Sequence, residues 1–482
     1  MASLVWGFSL ALAALAWLLL LPSSVRGVEW QPPLQSRLNN LTWALHGSGV
    51  NGFIYNSSYT PPDRYGAYNW CNMPHVRRAE YPQPGPEWEL HYVELMHRHH
   101  KRTPYPSNGF PIEPYPWNCD DVRLSLRAQP LPGPEPVAAH RQVFESGVNP
   151  FVSPGWTGTC SFPQITAQGL LDSWQHGADL YAVYHDLLGL VPASESSQFA
   201  SAVRYRVTNN VITSQVAAMV VSAMWKSPNE IESLPLLVQA PGIDSLEPQY
   251  NCPSSSKLFD DIKSDASWRQ HLNASANLFR TLDAISGVPG SDVGFHASLD
   301  HYYDNLSARQ CHEKPLPCST TSVTCITQEL ADTVYRIGNW EYSQLYRDHP
   351  LSLPASAASL GVWIGELTTH LRHVIAGRQH DVVYYHNVAH DGSVSRLLSI
   401  LQVDQMVWPG MGAEVVFELW RHKESEAFFV RVLYGGKILR SSHPDLGLMD
   451  MLPAEDVLGY LEDLVGQGAS RVKARCQEQK KL

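Results

Sequence analysis

Apolar and polar positions change period several times along the chain, and each change marks an element. Over residues 89–97, Tyr92, Val93, Leu95 and Met96 give a short apolar-rich strand, which ends ahead of Pro104 and a Pro-Ser-Asn-Gly turn. Over residues 164–190, Leu170, Leu171, Trp174, Ala178, Leu180 and Tyr181 fall at helical spacing. Residues 202–207 alternate, with Val203, Tyr205 and Val207 on one side and Arg204 and Arg206 on the other, so a strand is predicted. Asn209 or Asn210 then caps a helix running through Ser214, Ala217, Met219 and Val221. From 228 to 361 several helical patterns are broken by loops containing cysteine and proline. Strand character returns at 382–385, followed by a loop Asn387-Val-Ala-His-Asp and an amphipathic helix at 394–401. Residues 415–420 and 428–433 read as a hairpin, and 454–465 as a final helix.

Strands alternating with helices predict an α/β protein. The expected architecture is a three-layer α/β/α core with a mixed, mostly parallel sheet and an inserted, mainly helical cap. The chain divides accordingly into a signal peptide (1–27), an irregular amino-terminal wrap (28–88), a first part of the core with cap elements (89–227), the cap (228–361) and a second part of the core (362–482). No internal repeat is visible.

Composition adds the compartment. An apolar run over residues 8–21 precedes Pro22, Ser23 and Ser24, and the small residues before Val28 suit a signal peptidase. The run is short for a membrane span, and the charged segment 471–482 carries no anchor signal. The expectation is a secreted, extracellular protein without stable membrane insertion. Sequons at Asn40, Asn56, Asn273 and Asn305 are glycan acceptors in such a compartment. Eight scattered cysteines suit structural disulfides, with a local bridge available among Cys311, Cys318 and Cys325. A net charge of −11 argues against nucleic acid as a partner. An anionic substrate is still compatible, because a local arginine cluster can oppose the global field.

The candidate chemistry sits at Arg98-His99-His100-Lys101-Arg102-Thr103-Pro104, just past the first strand. In open α/β sheets sites form beyond the carboxyl ends of strands. Two guanidinium groups there can clamp a phosphate through paired hydrogen bonds, and they favour the neutral form of a histidine between them. Neutral imidazole is a competent nucleophile towards phosphorus. His390 and Asp391, after a late strand, supply a further oxyanion donor and a carboxylic acid for the leaving group. His97, His99 and His100 could also suggest a metal centre with His386 and His390. No carboxylate stands at metal-site spacing from them, so no metal is assigned and His386 is read as a satisfied strand-end histidine.

Together these segments resemble the histidine phosphatase superfamily in its acid-phosphatase and phytase-like branch. That family carries R-H-G-x-R-x-P after its first core strand and His-Asp after a late one. Arg98, His99, Arg102 and Pro104 match the first signature, with His100 in place of its glycine, and His390 and Asp391 match the second. The resemblance implies that His99 is the nucleophile forming a phosphohistidine, and that Arg98, Arg102 and His390 bind the phosphoryl group. Asp391 is implied as proton donor, and no cofactor is implied. The family also places an arginine at the start of a helix. Aligning Val211-Ile-Thr-Ser214 with that pattern retains Arg204 and puts Asn210 at that arginine, which leaves Arg204 or Arg206 to reach the pocket or to lie exposed on the strand.

Two functions follow. One is a secreted phosphomonoesterase; the other is an extracellular binding protein that retains the fold and an anion pocket without turnover. The intact His99, Arg98, Arg102, His390 and Asp391 favour the first, whereas Asn210 and His100 motivate the second. Scattered cations over 228–361 argue against phytate as substrate and leave small phosphomonoesters, phosphoproteins and lipid phosphates.

Overall fold

The computed structural model describes residues 27–54, 60–112, 115–126, 139–144, 146–152, 155–225, 234–378 and 381–477, with the isolated positions 133 and 137. The signal peptide and the sequon at Asn56 lie outside the described residues. The main sheet comprises β1 (Trp88–Arg98), β2 (Val203–Val207), β3 (Leu236–Val238), β4 (Tyr384–Ala389), β5 (Glu414–His422), β6 (Phe428–Tyr434), β7 (Lys437–Ile438) and β8 (Leu452–Pro453). Their spatial order is β7-β6-β5-β1-β4-β2-β3, with β8 beside β6. Strands β1, β4, β2 and β3 run parallel, while β5 pairs antiparallel with β1 and leads into the β5–β6 hairpin. The sheet is therefore mixed as expected, with its parallel strands confined to one half.

Strand β1 shows why this sequence forms the centre. Tyr92 and Met96 enter one apolar core, and Val93 and Leu95 enter the other. The period of two thus feeds both faces, and a strand buried on both sides reads as a near-continuous apolar run. Helices α1 (Ala167–Tyr184) and α2 (Val211–Met224) cover the Val93 face through Leu180, Val183, Ile212, Val216 and Val220. Asn210 caps α2, its side-chain oxygen accepting from the Ile212 amide. The Tyr92 face is covered by α4 (Ser352–Ile375), α5 (Asp391–Ile400) and α6 (Ala454–Val465), chiefly through Trp363, Leu367, Leu397 and Leu461. Here α3 is the cap helix Asp300–Cys311, which packs with the helices Ala276–Ser286 and Gln328–Ser343 around Trp70, Tyr302, Tyr303 and Trp340.

Three elements differ from the sequence expectation. Residues 387–389 continue β4 instead of forming a loop, because Asn387 donates to the Leu95 carbonyl and satisfies its amide inside the sheet. Helix α5 starts at Asp391, ahead of residue 394. Leu236–Val238, inside the segment expected to be cap, forms the edge strand of the main sheet.

All eight cysteines are oxidised, as Cys71–Cys311, Cys119–Cys160, Cys252–Cys476 and Cys318–Cys325. Of the three clustered cysteines, Cys318 and Cys325 form the local bridge, and Cys311 reaches back to the amino-terminal segment. Among the described residues no helix is long and apolar enough to cross a membrane.

Candidate active site

Strands β1 and β4 are parallel neighbours in register at Arg98 and Ala389, so the residues that follow each strand emerge side by side. His99 and His390 consequently face one another with ring centroids 5.5 Å apart. They line a cleft of about 340 Å³ together with Arg102, Tyr105, Glu247, Asp391 and Arg396. The carboxyl ends of parallel strands are where an α/β sheet leaves such space.

His99 is held in one tautomer. Its Nδ1 lies 2.9 Å from the His100 carbonyl oxygen, which can only accept, so Nδ1 carries the hydrogen and Nε2 the lone pair. Burial lowers its pKa well below the usual imidazole range, and the Arg102 and Arg98 guanidiniums push it further. The ring is neutral in mildly acidic water, as a nucleophile requires.

Both arginines of the motif are buried and stacked on aromatic faces, Arg98 on Trp70 and Arg102 on Tyr105. Arg98 donates to the Pro409 carbonyl at 2.6 Å and lies 3.1 Å from Asp391 Oδ2. Arg102 is anchored by Asp304 of α3 at 3.0 Å and lines the cleft. Packing on both sides fixes the guanidinium planes before any anion arrives.

His390 shares a hydrogen bond with the Thr208 hydroxyl at 2.9 Å, and its Nε2 lies 3.7 Å from Glu247. Burial lowers its pKa to about 4, with Arg102 and Arg98 adding to the effect and Asp391 opposing it. Asp391 opens α5, accepting from the Gly392 amide at 2.8 Å and from the Trp408 indole N–H at 2.8 Å. Burial pushes its carboxyl up, but Arg98, the Trp408 hydrogen bond and Arg102 outweigh it and hold the pKa below the usual carboxylate range. Glu247 behaves oppositely: burial raises it, and Asp244 adds to the rise.

Other residues singled out from the sequence lie elsewhere. Arg204 bonds the carbonyls of Ala200, Ser201 and Val203 at the start of β2, far back along the strand from the cleft mouth. Arg206 pairs with Glu366 at 2.6 Å and bonds Ser245 and Gln239. Neither lines the cleft. Their strand positions explain this, since only residues beyond the end of β2 reach the mouth, and Thr208 does so. Asn210 stands near the cleft wall, its amide 3.4 Å from the Tyr105 hydroxyl.

Asn40 and Asn273 are exposed, whereas Asn305 is buried within α3, donating to the Asn108 carbonyl and accepting from Arg309. Asn305 is thus not available to a glycan in the folded chain. His386 is satisfied only at Nδ1, by the Tyr384 hydroxyl at 2.9 Å.

Sequence reasoning missed Arg396, Glu247, Trp408 and Asp304. Arg396, in the second turn of α5, was legible in principle, because a helix opening at Asp391 carries its sixth residue past the same mouth. The others come from loops and a cap helix, with no local signal.

The sequence profile of the histidine phosphatase superfamily (branch 2) matches residues 296–435, which include His390 and Asp391. Counting factor 60 of Dictyostelium discoideum is 24% identical over 376 residues, covering 74% of this chain and 83% of its own length. 2-Phosphoxylose phosphatase 1 of Xenopus tropicalis is 22% identical over 402 residues, covering 77% of this chain and 73% of its own. Among solved structures, Hafnia alvei phytase in complex with tartrate superposes with a TM-score of 0.52 at 13% identity, over 80% of this chain and 99% of that one. That likeness is one of fold. With the paired strand ends and the matched profile, residues 296–435 of this chain are similar to the histidine phosphatase superfamily (branch 2).

Proposed function

We propose that the chain is an exported phosphomonoesterase that works through a phosphohistidine on His99. The observation that carries this reading is the Nδ1–H hydrogen bond from His99 to the His100 carbonyl, beside Arg102 and across from His390. In the first step His99 Nε2 forms a bond to phosphorus, the ester P–O bond breaks, and the leaving alkoxide takes a proton from a carboxylic acid. In the second step water attacks phosphorus, the P–N bond breaks, and the water proton passes to the carboxylate. Arg98, Arg102 and His390 carry the charge on the equatorial oxygens throughout.

Asp391 is the proton donor in this scheme. It is ionised in the empty cleft, and a bound phosphate dianion, by occupying Arg98 and Arg102, relieves what holds the carboxyl down. Glu247 is a second carboxyl at the mouth, its pKa raised by burial and by Asp244. The cleft wall of Tyr105, Glu247, Pro248 and Gln249 suits an uncharged, hydroxylated leaving group better than a polyanion. A phosphorylated sugar, the substrate named for the Xenopus relative, is therefore a sensible first compound after a generic aryl phosphate. Export is supported by the amino-terminal leader pattern and the disulfides, and glycosylation is proposed at the exposed Asn40 and Asn273.

The test is hydrolysis of aryl and sugar phosphates by purified, glycosylated protein between mildly acidic and neutral pH. Labelled phosphate should be trapped on the enzyme by an alkaline denaturing quench and be absent from His99→Ala. Lack of turnover on all substrates, with phosphate still bound, would instead favour the binding-protein reading. Asn210, aligned with the family's helix-start arginine, and His100, in place of the signature glycine, motivate that second reading.

A further inference from the structure

Beneath the cleft, on the α1 side of the sheet, lies a group of side chains that phosphoryl transfer does not use. The alternation of β1 turns His97 towards α1, which brings His176, and Glu414 begins β5 beside them. His100 follows His99 and points into the same space. All three imidazoles are fully buried. His97 Nδ1 lies 3.2 Å and His100 Nε2 lies 3.1 Å from one atom, His176 Nδ1, and the three nitrogens lie within 4.8 Å of one another.

Hydrogen bonding alone accounts poorly for this arrangement. Glu414 Oε2 lies 2.8 Å from His176 Nε2, and the same carboxyl group accepts from the Val76 amide; with Glu414 ionised, His176 carries its hydrogen on Nε2. His176 Nδ1 then offers one in-plane lone pair, and two imidazole nitrogens approach it at hydrogen-bond distance. Two donors cannot both align with a single lone pair. Three lone pairs can converge on one cation, and nitrogens in a tetrahedral zinc site with bonds of ~2.0–2.1 Å stand ~3.3 Å apart. A ligating histidine that gives its other N–H to a carboxylate, as His176 gives Nε2–H to Glu414, is the usual second-layer arrangement around such a metal.

A second observation is independent of these distances. His100 replaces the glycine of the family signature, and the fold makes room for its ring. Gly412 sits at φ +71°, and a Cβ there would lie 2.4 Å from His100 Cε1. His75, stacked on His176 at 4.2 Å, and His386, edge-on to His97 at 4.7 Å, extend the same imidazole-lined wall.

We propose that His97, His100 and His176 form a buried divalent-cation site of the zinc class, with Glu414 orienting His176. Imidazole donors suit zinc and its neighbours rather than magnesium or calcium. The site is distinct from the phosphate cleft, and His100 links the two. The cation would fix the His100 backbone, whose carbonyl sets the His99 tautomer, which makes His100 a positioning residue.

The experiment uses full-length protein freed of any affinity tag and dialysed against a chelator. Elemental analysis should find about one zinc per chain, and protein refolded with cobalt(II) should show the visible ligand-field bands of a nitrogen-coordinated, four-coordinate ion. His176→Ala should lose both signals. His100→Gly, which restores the family residue and keeps the backbone free of new bulk, should lose them while remaining folded by circular dichroism. Less than about 0.1 equivalent of zinc in the wild-type protein, both as isolated and after refolding with zinc, would overturn the proposal. So would undiminished metal in His100→Gly and His176→Ala. None of these readouts depends on phosphatase turnover.

Discussion

Arg98 Nη2 stands 3.1 Å from Asp391 Oδ2, so an arginine proposed to clamp phosphate is paired with the residue proposed to donate a proton. The pairing holds the Asp391 carboxyl below its usual range and orients both side chains, and in the proposed mechanism a phosphate competes for Arg98. Binding and acid strength are thereby coupled. Asp391→Asn should slow alkyl phosphates by ~10²–10⁴, because a poor leaving group needs a strong acid, and activated aryl phosphates far less. Comparing kcat for the two ester classes checks this, and equal losses would remove Asp391 from the role. Glu247→Gln measured on the same pair of substrates reports whether the second carboxyl at the mouth shares it.

In the proposed mechanism His99 sets the acid side of the pH profile, because a proton on Nε2 removes the lone pair that attacks phosphorus. Burial and the Arg102 and Arg98 guanidiniums hold its pKa well below the usual imidazole range, and burial lowers the neighbouring His390 to about 4. The ratio kcat/KM reports groups of the free enzyme. Corrected for ionisation of the substrate, it should show no acid limb near the ordinary imidazole value of about 6.5. A limb centred there would contradict the buried, arginine-facing environment of these rings.

Asn210 offers a trade between stability and charge. Its side chain caps α2 through the Ile212 amide and touches the Tyr105 hydroxyl. Asn210→Arg should cost ~1 kcal/mol through loss of the cap while adding a guanidinium at the cleft wall. The expected result is a lower Tm together with a lower inhibition constant for inorganic phosphate. Asn210→Ala should lower the Tm alone.

His312 tests acid stability away from the cleft. It is buried between the Ala308 carbonyl and the Thr166 hydroxyl, and burial lowers its pKa to about 4. Unfolded, the ring titrates near about 6.5. Between those values the unfolded chain binds a proton that the folded chain does not. The stability contributed by the neutral ring is therefore present above about pH 6.5 and is lost as pH falls towards about 4, at ~1.4 kcal/mol per pH unit. His312→Gln should flatten the pH dependence of the unfolding free energy by about that slope. Identical slopes in denaturant titrations of the two proteins would refute it.

The core strands and the two segments that line the cleft were legible in the sequence for a common reason. Strand β1 and the β5–β6 hairpin announce themselves through apolar runs, and Arg98, His99, His390 and Asp391 follow strands directly. Whether Arg204 or Arg206 reaches the cleft stayed open in the sequence because alternation gives the face of a strand but not the distance to its end. Asn387 looked like a loop residue because its buried hydrogen bond to Leu95 belongs to another strand. Asp304, Glu247 and Trp408 reach the cleft from the cap and from long loops, and Glu414 reaches His176 from a distant strand. Such meetings are properties of topology, which a pattern along one chain does not carry.

The bridge Cys71–Cys311 has a bearing on where this protein can work. Cys71 follows Trp70, whose ring supports Arg98, and Cys311 ends α3, whose Asp304 anchors Arg102. One covalent link thus braces the supports of both guanidiniums. In a thiol-reducing milieu both would loosen together, and affinity for phosphate would fade before the fold itself was lost. The same chain made in an unmodified bacterial cytosol and in an oxidising secretory route would then differ in phosphate affinity while sharing a far-ultraviolet spectrum. Redox history, as much as sequence, would decide whether a given preparation counts as an enzyme.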